Sequence, residues 1–337
     1  MSKLAEELLR PKAYHAALEA GRKPNVAEMR VEWFDSANIL KHRAALGSLT
    51  TLAHYLFCIT VAIVCLAGNL SIWTPLWFIS FLLLMAHFYH TFWYHRYCSH
   101  KAFNFSSKLF PMFMQWTNPL LIKEETYVIP HFVHHKLSDK PHDPYGPHLG
   151  PLASILAAES AHHFNPEMSD KAFKHCRMLL DHLPSKWQTK EQFIRNGSFE
   201  VPWLYPLRFV FVNLFWVSLF GLILKQPELL GAWYAATIIF IVILRDFNYR
   251  GHDEDADNSV KIDKNSLAVN QWFYGYLASE WHDNHHRFAA SAKCGFRRFE
   301  FDASFSITKL LKKLGVISSY VDSSKSFEKD QQAQTEA

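Results

Sequence analysis

No two of the five cysteines, Cys58, Cys65, Cys98, Cys176 and Cys294, form a CxxC pair, and their number is odd. A disulfide framework and a thiolate zinc, iron-sulfur or rubredoxin centre are thereby excluded, and a reducing, cytosol-facing environment fits. Glycine is scarce at 12 residues and never gathers into a dinucleotide-binding loop. A surplus of one charge is missing too: the net charge is +4 and the pI about 8.7, with Lys and Arg scattered among acidic residues. No nucleic-acid partner is expected from so mild a balance. The opening stretch, MSKLAEELLRPKAYHAALEA, has no apolar core of the length a secretory signal needs. No repeat of fixed period runs through the chain.

What the chain has instead is histidine, 20 of 337 residues, together with 49% hydrophobic residues. The apolar residues concentrate in four stretches, expected as membrane spans at about 49–70, 73–94, 205–224 and 229–248. A span takes about 20 residues at 1.5 Å each, so the first two are ample and the last two lean on flanking Trp203, Tyr205, Phe247 and Tyr249. Buried helices of a soluble protein are the competing reading, but the first stretch holds a single ionisable residue, His54. A mean hydropathy of -0.08 then says that much of the chain lies outside the bilayer.

Short connections, GNLSIWTP and KQPE, make two hairpins whose free ends emerge on one side. Lys and Arg enrich that side, which places it in the cytoplasm by the positive-inside tendency. The expected fold is therefore all-α: four transmembrane helices in two hairpins, with a cytoplasmic helical cap. Residues 1–48 form a cytoplasmic N-terminal segment, 49–322 the membrane domain with its cap at 95–204 and 249–322, and 323–337 a disordered tail. Residues 105–122, broken by Pro111 and Pro119, suit an interfacial or half-inserted helix.

Residues three or four apart on a helix share a face, so an HxxHH pattern throws three imidazoles off one patch. The pattern occurs twice, as His131, His134, His135 and as His282, His285, His286. A third group, HRYCSH, spaces His95 and His100 by five, which works only if the second span ends near His95 and the chain turns back. All three groups fall on the cytoplasmic side and can converge. Eight imidazoles exceed the four that satisfy one zinc-like ion, so two metals are implied, and iron, zinc, copper and nickel all remain open. His15, His42, His54, His175, His182 and the pair His162 and His163 read as surface or packing residues. His87 and His90 face either a cavity or an interior hydrogen bond, and His142 and His148 flank a turn-rich stretch.

The order HxxxxH, HxxHH, HxxHH among these spans resembles the integral-membrane fatty acyl desaturases, the acyl-CoA and acyl-lipid group, and the bacterial branch in texture. HRYCSH, HFVHHKLSDKPHDPY and EWHDNHHRFAASAKCGF are similar to that family's three boxes, and NYRGH supplies its further element as Asn248 and His252. The resemblance implies nine histidine ligands, His95, His100, His131, His134, His135, His252, His282, His285 and His286, with Asn248 acting through a water. It implies two ferrous ions that use dioxygen and two external electrons to place a cis double bond in a long acyl chain.

Asp139, Asp143, Asp253, Glu280 and Asp283, beside the boxes, are candidates to hold ligand rings by their distal N–H. Many relatives have a glycine inserted between the acid of the third box and its histidine, which Glu280 and His282 lack. A lipid bilayer, an acyl-CoA or acyl-lipid substrate, and a ferredoxin, rubredoxin or cytochrome b5 with its reductase are the expected partners. A multi-pass, bacterial inner-membrane location with the site and both termini cytoplasmic follows. A di-iron hydroxylase of an alkane, sterol or acyl chain is the near alternative, and a metal transporter a distant one.

Overall fold

The computed structural model describes residues 2–140, 142–156, 162–252 and 268–336, so Asp253 lies outside the described residues. Among the described residues, four helices are long and apolar enough to cross a membrane: Ala45–Leu66, Thr74–Ser99, Leu204–Ile223 and Pro227–Arg250. The first starts and stops four residues earlier than the sequence suggested. Ala67 leaves the helix in an extended conformation and Gly68 follows at φ 84°, a left-handed turn that favours glycine.

Leu52, Leu56, Ile59, Ile63 and Val64 of the first span and Val210, Phe211, Leu214 and Leu222 of the third stay exposed. Apolar faces of that extent suit lipid and not water. The fourth span is the buried one, with Trp233, Tyr234, Ala236 and Phe240 inside. Gly231 lets it approach the first closely, since a Cβ there would meet Leu66 at 2.7 Å.

The second span does not end near His95 as expected. Its last part, Met85–Ser99, is a π-helix running to Ser99, and the His100 N–H donates to the His95 carbonyl at 3.2 Å. On an α-helix five residues would separate the two side chains by about 140° around the axis. The wider i→i+5 turn stacks them instead, so no reversal of the chain is needed.

Outside the bundle the chain folds mainly as short helices. A two-stranded antiparallel sheet, β1 (Phe103–Phe105) with β2 (Ile317–Tyr320), ties the end of the second span to the C-terminal region. In the region expected to be interfacial, helix Leu109–Thr117 leaves Leu109, Met112 and Phe113 exposed on one flank. The stretch after Ser323, expected to be disordered, is a helix from Ser324 to Glu336. Its composition is polar, but one residue anchors it: Phe327 is buried and stacks on Phe296 with centroids 4.9 Å apart.

A candidate metal centre

The first HxxHH sits on helix Glu124–Leu137, whose start is held by buried charge. Arg208 of the third span donates to Glu124 at 2.7 Å and pairs with Glu200, while Glu125 accepts from Lys123, Ser198 and the Glu200 N–H. Breaking such a buried network strands a charge and costs about 3–5 kcal/mol, so this helix is fixed where the spans dictate. The second HxxHH forms the six-residue helix His282–Arg287. Ser279 ahead of it takes φ 58°, a left-handed turn, and Glu280 follows buried and facing His95.

Arg96, which the sequence reading passed over, clamps this third box. It is almost fully buried and donates to the carbonyls of Ala292 and Ser279 at the two ends of the box segment, and to Asp302. Asn284, between the histidines, donates to the Cys294 carbonyl and to Glu300. A charged side chain at a membrane boundary in HRYCSH was the available signal.

These supports bring all nine histidines together, and they divide across the boxes. His95, His100, His131 and His285 form one quartet; His134, His252, His282 and His286 form another; in each, the donor nitrogens lie within 4.8 Å of one another. Each HxxHH motif feeds both quartets. In the first, Nε2 of His95 lies 3.0 Å from that of His285, and His100 2.7 Å from His131. His135 joins the same side, 3.1 Å from His131 and 2.9 Å from His285. In the second, His134 lies 3.2 Å from His286 and 3.1 Å from His252, which is 2.9 Å from His282.

Carboxylates hold the outer nitrogens. Nδ1 of His95 lies 2.7 Å from Glu280, that of His134 2.8 Å from Asp143, and that of His252 2.9 Å from Asp139. Three of the five candidate acids thus lie against a ring of the quartets, while Asp283 is buried within the box helix. Burial, reinforced by neighbouring imidazoles, holds the rings of His100, His131, His134, His135, His282, His285 and His286 well below the usual histidine range. They are neutral at pH 7.

A carboxylate on Nδ1 fixes the proton there and turns a bare lone pair of Nε2 inward. At His95 and His134 this leaves a bare Nε2 about 3 Å from neighbouring imidazole nitrogens, and a cation at the centre of each quartet would satisfy several such nitrogens together. The donor set therefore fits a metal in each quartet.

Other histidines separate cleanly. His87 meets Ser279 and His90 meets Tyr127, both interior hydrogen bonds, and His54 meets the Pro119 carbonyl. His148 contacts the Asp143 carbonyl and belongs to neither quartet. A narrow cavity abuts the quartets, lined from the second span by His90 and from the fourth by Leu244, Phe247 and Asn248. The Asn248 side-chain nitrogen is buried without a partner among the described residues, next to His252 on that cavity.

Residues 71–297 match the family model described as fatty acid desaturase. The chain belongs to the fatty acid desaturase family. Among curated proteins it is similar to an acyl-CoA 5-desaturase of Anemone leveillei, 39% identical over 56 residues, which is 16% of this chain and 17% of that protein. It is also similar to an acyl-CoA Delta5-desaturase of the same plant, 42% identical over 52 residues, 15% of this chain and 17% of the relative. The match thus spans about a sixth of the curated relatives' length. Membership of the family gives the two quartets a context: the matched span includes every histidine in them.

Proposed function

We propose that the protein is a membrane desaturase that places a cis double bond in a long acyl chain, using dioxygen and two electrons at a di-iron centre. The observation that carries this reading is the convergence of two inward-facing histidine quartets in a chain of the desaturase family. His95, His100, His131, His134, His135, His252, His282, His285 and His286 would hold the two irons, with Asn248 acting through a water. Bound iron would supply the oxidising power that an unactivated C–H bond demands, since no acid, base or nucleophile can attack it.

The chain's own residues do the rest. Glu280 and Asp143 orient the rings of His95 and His134 and keep their donor nitrogens bare, while Asp139 lies beside His252. Leu244 and Phe247 of the fourth span form the apolar part of the wall of the small cavity beside the quartets, where the acyl chain would have to meet them. The ligands stand at the ends of the second and fourth spans, so one face of the membrane serves metal and electron carrier alike; we assign it to the cytoplasm on the Lys and Arg bias. The electrons come from a separate ferredoxin, rubredoxin or cytochrome b5 with its reductase, because the sequence carries no motif for an electron-carrying group of its own.

Gas chromatography of the fatty acids of an expressing host tests the reading. Wild type is expected to yield new mono-unsaturated chains and His285→Ala none. Hydroxylated lipid instead would favour a di-iron hydroxylase, and identical profiles from both proteins would remove the desaturase reading.

A further inference from the structure

Three more metal-type donors meet outside the quartets. His15 and Glu19 lie one turn apart on helix His15–Glu19, with 3.3 Å between His15 Nε2 and the carboxylate. His142 arrives from the loop after the first HxxHH, its ring 4.6 Å from that of His15. One donor atom from each lies within 4.8 Å of the other two. Nothing in the sequence pairs His15 with His142, because what joins them is tertiary. Tyr14, Leu18 and Met29 pack with Leu149 and Ala153 in a small core of their own. The Arg10 N–H also donates to the His163 carbonyl at 2.9 Å, pinning the segment before His15 to the cap.

These donors stand beside a cavity of about 90 Å³ that Val133, Asp143 and His162 also line. That is room for several waters. His162 is 3% exposed, and its Nε2 has no partner among the described residues. Buried polar nitrogens are nearly always paired, and His162 lines this cavity, where water or a ligand can meet it. Asp143 forms another part of the wall and holds His134 of the second quartet at 2.8 Å. Two cations, Arg10 and Lys12, share the lining, but Asp35 and Glu32 pair with them at 2.5–3.5 Å and offset their charge.

We propose that His15, Glu19 and His142 form a third metal site, a capture site for a divalent transition ion, and that the cavity containing His162 leads from it to the quartets. Two imidazoles and one carboxylate with open positions are a donor set that suits ferrous iron. Only three donors on an open surface make the ion exchangeable, which capture requires and catalysis does not. The loading role rests on the reading of the quartets as the metal centre; the third site itself does not.

Anaerobic titration of the detergent-solubilised, metal-free protein with ferrous iron tests both parts. Wild type is expected to take two tight equivalents and a third at least about tenfold weaker. His15→Ala/His142→Ala should lose only the weak equivalent, keep a final content of two, and take up iron several-fold more slowly. His134→Ala/His285→Ala should keep the weak equivalent, so failure of the quartet reading and failure of the third site give different results. Absence of the weak equivalent from wild type, or its survival in His15→Ala/His142→Ala, overturns the site. Uptake as fast as wild type in that variant overturns the loading role. His142→Gln alone repeats the test should the double variant not fold.

Discussion

The two quartets differ in what they are built on. The first takes His95 and His100 from the π-helical end of a membrane span, a rod locked among buried aromatic residues, and has Glu280 behind it. The second takes His252 from just past the fourth span and leans on Asp139 and Asp143, both on the loop that follows the first HxxHH helix. The two cap helices supply ligands to both sets, so what separates them is His95 and His100 on a span and Glu280 behind it, against His252 and two loop carboxylates. Rigid elements hold ligands more closely than loops do, so the second quartet should yield its metal first.

The largest effect expected from this contrast is loss of metal and product together. His285→Ala and His252→Ala should both reduce conversion to background, yet each should keep about one metal per chain, retained by the undamaged quartet. Metal analysis of purified protein checks this, and loss of both ions from either variant would show that the quartets are one unit. Next in size, Glu280→Gln should weaken metal binding at the first quartet and Asp143→Asn at the second, each by about 10–100-fold. Competition with a chelator measures it, and wild type should release its ions in two phases with the Asp143-supported one leading.

The two carboxylates also differ in how they respond to pH. Burial pushes Glu280 up, but its hydrogen bond and charge interaction with His95, helped by His90 and Arg96, outweigh burial and bring it down to about 2 from 4.5. Burial dominates at Asp143 and lifts it to about 7 from 3.8. In metal-free protein the unfolded chain binds more protons at Glu280 below pH 4.5, so that contribution to stability is lost as pH falls toward 2. At Asp143 the folded chain binds more, so stability is lost as pH rises from about 3.8 to about 7. Thermal melts across both windows should show Glu280→Gln flattening the acid limb and Asp143→Asn the neutral one. The smallest effect on the contrast, none at all, belongs to Phe327→Ala. Loss of a buried ring with its stacking on Phe296 should cost about 3–5 kcal/mol of stability and touch both quartets alike.

Much of this was readable beforehand because it rests on local periodicity. Four apolar runs and two HxxHH motifs give spans and shared faces directly, and the observed helices fall within a few residues of the expected spans. The division of each HxxHH between two quartets was not readable, since neighbouring rings on one helical face part only when other elements arrive on either side. His95 and His100 were read through the α-helical period, and the true period was wider. Arg96 was missed because its acceptors, Ser279, Ala292 and Asp302, lie some two hundred positions away. The terminal helix was missed because one phenylalanine among fifteen residues hardly alters composition, yet it finds an aromatic partner.

The π-helical end of the second span has a mechanical consequence. A rod held by lipid and a cap folded in water must agree on where a donor points, and along an α-helix each added residue swings the next side chain by about 100°. Accommodating one extra residue per turn lets the rod re-aim His100 while Thr74 and the lipid-facing surface stay where they are. The wide turn is thus a tuning point, and deleting a single residue within Met85–Ser99 would leave the other three spans intact while turning the donor away from His131.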